Sequence, residues 1–309
     1  MRNNIQRRFF LKTLLASPSL LTPALLLSVT TAGATTREKE VRSKLKISLN
    51  AYSFNDPLKN GSMTLDGLLD FCAENEFDAV DLTGYYFPGY PNVPSDDYIF
   101  QLKQKAHKLG LDISGTGIKN DFTSPDKKKR QEDIKLVKNW IEVAAKLGAP
   151  VIRIFSGLEI PKGHTWEDTA EWMVKDLQEC AEFGKQHGVF VAIQNHNDFI
   201  KTGDQAQKII ESVHSDWFGL VLDIGSYRTG DPYKQIEQTA KFAVNWQLKE
   251  LMFVDEHEQK TDLKKVVGII KASGYRGYVP IETLGAGDPK VKVPIFLAEV
   301  REAFIKNGV

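Results

Sequence analysis

The chain has 309 residues, 42% of them hydrophobic, and equal numbers of basic and acidic side chains give it a formal net charge of zero. This balance argues against the strongly basic surface that nucleic-acid-binding proteins use, so we expect no nucleic-acid partner. Only two cysteines occur, Cys72 and Cys180, both within helical patterns. We predict that they are buried apolar side chains rather than a disulfide or a metal-binding pair.

The first 34 residues have the features of an export signal. Arg7-Arg8 precedes an apolar stretch over residues 14–29, and the small residues Ala32–Ala34 follow it. This layout predicts a twin-arginine-type signal peptide, a linker over 35–44, an exported periplasmic protein and no stable membrane anchor after cleavage. An uncleaved N-terminal anchor is the alternative, which two prolines within the apolar stretch disfavour.

From residue 45 onwards, strand and helix patterns alternate to the end of the chain. Eight short apolar runs are predicted as buried parallel strands, spaced about thirty residues apart, as a strand, a loop and a crossover helix require. Eight such units over 45–309 predict an α/β fold, a single (β/α)8 TIM barrel, rather than an open doubly wound sheet. The predicted strands are Lys46–Ala51, Ala79–Leu82, Asp112–Gly115, Val151–Phe155, Val189–Gln194, Phe218–Asp223, Gln247–Val254 and Tyr278–Glu282.

Start and stop signals mark the helices between these strands. Ser124-Pro125-Asp126 and Asp231-Pro232 are predicted helix starts, each with a capping side chain followed by Pro in the first turn. Four glycines follow helical patterns and are predicted to end helices in the left-handed conformation. They are Gly110, Gly148, Gly188 and Gly274.

Polar side chains stand at the ends of four predicted strands. Gln194, Asp223 and Glu282 end the fifth, sixth and eighth strands, and Gln247 opens the seventh. Because the carboxyl ends of barrel strands meet at one face, we expect these side chains to converge there. Two carboxylates and two amide oxygens can hold a divalent ion such as Mn, Co, Mg or Zn. The alternatives are a loop cap or ion pair for each carboxylate and a structural hydrogen bond for each glutamine.

Two basic side chains extend this predicted site. His196 follows Gln194 by two residues, so it is predicted on the same side of the strand, as a metal ligand, a substrate donor or a general acid. Lys249 bears the same relation to Gln247 and is a candidate to hold a substrate oxygen or stabilise an enolate. A structural histidine and a solvent-facing lysine are the alternatives. Together with Glu282, His196 and Lys249 form the predicted catalytic set.

Other side chains are predicted to contact a substrate. Arg153 interrupts an otherwise apolar strand, where we expect a salt bridge across the barrel or, second, contact with the substrate. Aromatic side chains near strand ends can form apolar walls for a sugar ring. His257 is a reserve ligand that we expect to be exposed. The predicted substrate-binding set is Arg153, Tyr52, Tyr85, Phe122 and Arg228.

These strand ends resemble those of the xylose isomerase-like TIM barrels, a family that includes sugar isomerases, sugar epimerases and AP endonucleases. The family typically has Glu-Asn-His at the end of strand five, Asp ending strand six, His before Leu-Lys-Asp on strand seven and Glu ending strand eight. The resemblance covers about residues 45–306 and rests on Gln194–His196, Leu222–Gly225, Gln247–Glu250 and Ile281–Thr283.

Three positions depart from the family pattern. Gln194 stands where the family has a Glu that is both a metal ligand and an acid/base, and Gln247 stands where it has a His ligand. Ser226 replaces a His that AP endonucleases need three residues after the Asp, which argues against DNA repair. The pattern that remains, Asp223 and Glu282, implies a weaker metal site than three carboxylates would make.

The resemblance implies metal-assisted proton transfer next to a sugar carbonyl, with a small-molecule carbohydrate as partner, and leaves a homodimer open. We therefore expect a metal-dependent sugar isomerase or epimerase acting on a non-phosphorylated sugar. Because Gln194 cannot transfer protons at neutral pH, a lyase or hydratase that cleaves a 3-keto-glycoside by β-elimination is an alternative. A non-catalytic carbohydrate-binding barrel is the other.

Overall fold

A computed structural model describes residues 45–309, and the predicted signal peptide and linker lie outside these residues. Ten strands occur in the described chain. They are β1 (Lys46–Asn50), β2 (Ala79–Thr83), β3 (Asp112–Gly117), β4 (Val151–Ile154), β5 (Phe190–Gln194), β6 (Phe218–Asp223), β7 (Ala243–Lys249), β8 (Leu251–Val254), β9 (His257–Lys260) and β10 (Tyr278–Glu282).

Eight of these strands close into a parallel barrel in the order β1-β10-β7-β6-β5-β4-β3-β2. The pairing joins the last strand to the first, so the barrel has no free sheet edge. The predicted (β/α)8 TIM barrel is therefore confirmed. Cys72 and Cys180 are both buried and unpaired, as predicted.

Helices cover the outside of the barrel and pack their apolar faces against it. None of the helices between residues 45 and 309 is long and apolar enough to cross a membrane. The helices are α1 (Asn55–Asn60), α2 (Leu65–Glu74), α3 (Asp96–Lys108), α4 (Lys127–Leu147), α5 (Trp166–His187), α6 (Gly203–Val213), α7 (Pro232–Thr239), α8 (Leu263–Ala272) and α9 (Pro289–Asn307).

Most of the predicted helix ends are confirmed. The four predicted glycines all have positive φ, for example +83° at Gly148, which closes α4. Asp231 caps α7 and Pro232 occupies its first turn. The predicted start of α4 is wrong by two residues: Asp126 is the cap, because its carboxylate accepts from the Lys128 amide at 2.8 Å. Ser124 and Pro125 therefore precede the helix.

The predicted seventh strand, Gln247–Val254, combines two elements. The barrel strand β7 ends at Lys249, and the apolar run that follows it forms β8. β8 pairs antiparallel with β9 in a separate hairpin. The hairpin turns at Asp255 and Glu256, whose φ angles of +50° and +64° match a tight primed turn without glycine. His257 lies at the start of β9 and is exposed, as expected.

A carboxyl group is buried inside the barrel. Asp81 on β2 is 7% exposed, and its Oδ2 accepts a long hydrogen bond of 3.4 Å from the Asn245 side chain. Burial raises the pKa of Asp81 from 3.8 to about 6, while the positive charge of Arg153 partly opposes the shift. Asp81 therefore retains a proton in the folded protein under conditions where the unfolded chain releases it.

We expect Asp81→Asn to remove a pH dependence of stability. The folded pKa of Asp81 is raised, so the native state binds more protons and loses stability as pH rises through the shifted range. Between about pH 3 and pH 7 the parent protein should lose about 3 kcal/mol relative to the variant. Urea unfolding at a series of pH values measures this. Asp112→Asn is the control with the opposite sign, because Lys46 lowers the pKa of Asp112.

Candidate functional site

A cavity of about 270 Å³ lies at the carboxyl ends of the barrel strands. Its lining includes all three predicted catalytic residues, Glu282, His196 and Lys249. Two predicted metal ligands, Gln194 and Gln247, also line it. Four of the five predicted substrate-binding residues do as well: Arg153, Tyr52, Tyr85 and Arg228.

Strand register explains why the polar strand ends meet. Asp223 at the end of β6 pairs with Gln247 on β7. Two residues further along β7, on the same face, Lys249 pairs with Glu282 at the end of β10. Parallel neighbours in register lie side by side, so the barrel itself brings these groups together.

Gln194 joins this group from β5. Its side-chain amide donates to Asp223 Oδ2 at 2.8 Å and to Gln247 Oε1 at 2.5 Å. The next residue, Asn195, exchanges two hydrogen bonds with the Asp223 backbone, at 2.8 and 2.9 Å. The three side chains Gln194, Asp223 and Gln247 therefore form one buried hydrogen-bonded network.

The Lys249 ammonium lies between the two carboxylates. Its Nζ is 3.1 Å from Asp223 Oδ2 and 3.0 Å from Glu282 Oε1. Burial alone would lower the pKa of Lys249, but the charges of Asp223 and Glu282 outweigh burial and raise it above its ordinary value of 10.5. Lys249 is therefore the counterion of this carboxylate pair.

The two carboxylates differ in how they face the cavity. Asp223 is completely buried, and Ser226 Oγ and the Gly225 amide also donate to it, at 2.8 and 3.0 Å. Glu282 lines the cavity directly. Asp223 thus holds its neighbours in place from inside the barrel, and Glu282 is the carboxylate that a molecule bound in the cavity would contact.

These residues do not fit the divalent metal expected from the sequence. Gln194 turns its N–H group, not an oxygen, towards Asp223, and the Gln247 amide oxygen already accepts from Gln194. Lys249 fills the space between the carboxylates that a shared cation would need. Over residues 45–309, no cluster of three or more His, Cys, Asp or Glu side chains could hold a metal ion. The four predicted ligands do converge, but as a hydrogen-bonded and ion-paired group.

Because Gly225 has no side chain, the Lys249 side chain can pass beside it to reach the two carboxylates. A Cβ atom at this position would lie 2.7 Å from Lys249 Cδ, well inside contact distance. The Lys249 ammonium is held at both carboxylates, so the middle of its side chain has little freedom to move aside. A side chain at position 225 would therefore displace the ion pair.

We expect Gly225→Ala to destabilise the protein by about 1–3 kcal/mol, because overpacking forces the Lys249 chain out of its place. Gly268→Ala is the matched control: it lies in α8, and its added Cβ would meet nothing closer than 3.5 Å. A helical Gly→Ala change there should stabilise by about 0.5–1 kcal/mol. Denaturant unfolding of both variants measures the difference in stability. Equal changes in the free energy of unfolding would contradict a close contact between position 225 and Lys249.

His196 lies at the rim of the cavity, apart from the carboxylate network. Its Nδ1 is 2.7 Å from Asp198 Oδ2, and its ring packs against Phe155 at 4.8 Å between centroids. The side chain is 44% exposed. His196 is therefore placed to contact a bound molecule, and its proton-transfer role stays a prediction.

Arg153 does not make the predicted salt bridge. Its guanidinium donates to the Ile118 carbonyl at 2.6 Å and to the Tyr85 hydroxyl at 3.3 Å, and it stacks over the Phe155 ring. Gly117 makes room for it, because a Cβ there would lie 2.8 Å from the guanidinium. In the described chain, no carboxylate lies within ion-pair distance of Arg153. Arg153 lines the cavity, and the second expectation, that it contacts the substrate, stays a prediction.

Phe122 is the one predicted substrate residue that does not reach the cavity. It is fully buried, and its carbonyl accepts from the Trp172 indole N–H at 3.0 Å. Its position near a predicted strand end does not distinguish a cavity wall from core packing. Phe122 therefore belongs to the core between the barrel and α5.

Several cavity residues were not predicted. Phe253 on the hairpin faces Arg228, whose guanidinium lies 4.6 Å from the ring centroid. Lys119 lies over the Tyr85 ring at 5.0 Å. The apolar run Leu251–Val254 was the signal for a strand in the cavity wall, but in the sequence it continues the pattern of the barrel strand before it.

Comparison with known proteins gives one family. Residues 69–297 match the profile of the xylose isomerase-like TIM barrels. No curated protein shows a significant sequence match.

Three similar solved structures cover nearly all of the described chain. A D-psicose 3-epimerase from Clostridium cellulolyticum H10, solved with D-tagatose, is 16% identical, with a TM-score of 0.68 over 84% of this chain and 99% of that one. A 3-keto-D-glucoside 4-epimerase from E. coli is 14% identical, with a TM-score of 0.67 over 84% and 99%. The IOLI protein, solved with a bound zinc atom, is 18% identical, with a TM-score of 0.67 over 85% and 98%. At these identities the likeness concerns the fold.

Proposed function

Because the chain belongs to the xylose isomerase-like TIM barrel family, we propose that it is a sugar isomerase or epimerase that moves a proton next to the carbonyl group of a small sugar. The observation that carries this proposal is the position of Glu282. Its carboxylate ends β10, lines the cavity and lies 3.0 Å from the Lys249 ammonium. A base beside a fixed positive charge is what removal of a proton next to a carbonyl requires.

The remaining buried groups would hold this pair in place. Asp223 forms an ion pair with the Lys249 ammonium, and the Gln194 amide donates a hydrogen bond to Asp223. The Asp223 carboxylate and the Lys249 ammonium are therefore both held in place. A catalytic group held by its neighbours loses little entropy when the substrate binds. In this proposal Asp223 and Gln194 are positioning residues, and Glu282 is the base.

The cavity wall supports a sugar as the substrate class. Tyr52, Tyr85, Phe155 and Phe253 place aromatic rings in the cavity wall, and such rings suit the apolar face of a sugar ring. Arg153 and Lys119 offer donors for hydroxyl oxygens. A volume of about 270 Å³ lies near the lower end of small-molecule sites, roughly 300–1,000 Å³. We therefore propose a monosaccharide or one sugar unit of a glycoside.

Two similar structures agree with this class, since their names describe epimerases of D-psicose and of a 3-keto-D-glucoside. We propose a non-phosphorylated sugar because the export signal predicted over residues 1–34 would take the protein out of the cytoplasm. A periplasmic location rests on that signal alone. A homodimer likewise stays a proposal.

Incubation with candidate sugars in D₂O tests the proposed reaction. The panel should contain neutral aldoses, ketoses and 3-keto-glycosides, and NMR should follow each of them. We expect solvent deuterium at the carbon next to the carbonyl of an isomerised product. Release of an aglycone without an isomer would replace the proposal with β-elimination. A sugar that binds but neither exchanges nor reacts would indicate a carbohydrate-binding barrel.

A further inference from the structure

We propose that the Lys249 ammonium is the permanent cation of this site, in the place that a divalent metal would take, and that the proton transfer needs no metal. The catalytic half of this inference rests on the proposed function. The binding half does not, because it concerns only which cation the two carboxylates hold.

The contacts of the carboxylates carry the inference. Asp223 Oδ2 and Glu282 Oε1 approach one Nζ atom at 3.1 and 3.0 Å, which is the geometry of a cation shared by two carboxylates. A metal ion between the two carboxylates would have to displace the Lys249 side chain, of which only 12% is exposed. It would also meet the N–H group of Gln194, which repels a cation.

The backbone around Lys249 holds this side chain between the two carboxylates. Lys249 and Glu282 are register partners on neighbouring strands, so the ion pair spans the shortest distance between them. The Lys249 carbonyl accepts from Thr261 Oγ1 at 2.7 Å, which holds the end of β7. Gly225 leaves the space that the lysine side chain occupies. Three separate features of the chain therefore support one placement.

The charge of the group also differs from that of a metal site. Two carboxylates and one ammonium carry a net charge of −1, whereas a divalent ion would neutralise both carboxylates. An ammonium has three donors, and two of them point at the carboxylates. The third is available for a substrate oxygen in the cavity that Lys249 lines.

The proposed step is balanced without a co-reactant. Glu282 takes the proton from the carbon next to the carbonyl, the C–H electron pair becomes the C=C bond of an enediol, and the carbonyl electron pair moves to oxygen. Lys249 keeps its proton and donates a hydrogen bond to that oxygen, which takes the proton of the neighbouring hydroxyl. The oxygen that loses this proton becomes the new carbonyl oxygen. Glu282 then returns its proton to carbon. The product is an isomer of the substrate, so nothing is oxidised or reduced.

Titration of the protein with Mn²⁺ tests the binding half without any sugar. By calorimetry, we expect the parent protein to bind Mn²⁺ no more tightly than about 1 mM. Its unfolding temperature should differ by less than about 1 °C between Mn²⁺ and EDTA. One tightly bound Mn²⁺ per chain, with a matching rise in unfolding temperature, would overturn the inference. This measurement on the parent stands even where a variant fails to fold.

Variants of two lysines make the test specific. Lys249→Met frees both carboxylates and should bind Mn²⁺ at least about tenfold more tightly than the parent. Lys292→Met is the matched control, because Lys292 pairs with the rim carboxylate Glu250 at 3.4 Å and should leave Mn²⁺ binding unchanged. Equal Mn²⁺ affinity in the two variants would contradict the placement of Lys249. Absence of deuterium exchange with every sugar would instead contradict the proposed function, because Mn²⁺ binding is independent of it.

Discussion

Glu282→Gln should reduce deuterium exchange with the substrate by about 10²–10⁴-fold, the usual contribution of a positioned base. Glutamine has nearly the same shape and keeps an oxygen for the Lys249 ammonium, but it cannot accept a proton from carbon at neutral pH. The effect should therefore fall on turnover, with substrate binding changed much less. Exchange rates measured by NMR over a range of sugar concentrations separate the two.

Glu299→Gln is the control for this prediction. Glu299 is a half-buried residue of α9 that pairs with Lys260 at 2.6 Å and does not line the cavity. We expect its variant to exchange deuterium at close to the parent rate. If Glu282→Gln and Glu299→Gln exchange equally well, Glu282 is not the base, and the acid–base assignment of the site must be given up.

Lys249→Met should destabilise the folded protein by about 3–5 kcal/mol at neutral pH, because it leaves two buried carboxylates without their counterion. Removing one partner of a buried ion pair costs more than the pair itself contributes, since the remaining charges stay out of water. For a domain of this size the unfolding temperature should fall by about 10 °C. Thermal unfolding followed by circular dichroism, in buffer containing EDTA, measures the change.

Two variants show whether the charge is the cause. Lys249→Arg keeps a positive charge and should recover most of the lost stability, apart from the strain of a larger head group. Lys292→Met removes a more exposed partner of Glu250, and its effect should be within about 1 kcal/mol. If Lys249→Arg is as unstable as Lys249→Met, packing rather than charge explains the loss.

The fold could be predicted from the chain because its signals are local. Buried parallel strands are short apolar runs, and the glycines at helix ends need a left-handed backbone, so both can be identified without knowing the partners of each strand. The hairpin of β8 and β9 was missed because its turn uses Asp255 and Glu256 rather than glycine. Without that marker, Leu251–Val254 looked like the end of the preceding barrel strand.

The residues of the site could be predicted from the sequence, but the contacts between their side chains could not. Gln194, Asp223 and Glu282 end their strands, and Gln247 lies two residues before the end of β7. The carboxyl ends of barrel strands converge on one face. Lys249 lies beside Glu282 because of the register between β7 and β10. This register cannot be read from the sequence. The same holds for Arg153, which binds a carbonyl and a tyrosine where a carboxylate partner was expected.

Proton transfer without a metal is tested most directly by the rate of deuterium incorporation into the substrate sugar in D₂O, measured for one protein preparation before and after exhaustive treatment with EDTA. Elemental analysis of the treated sample should confirm that divalent metal is gone. We expect equal rates in the two samples, because Glu282 and Lys249 carry out the transfer themselves. A rate that disappears with EDTA and returns with Mn²⁺, Co²⁺, Zn²⁺ or Mg²⁺ would contradict this expectation.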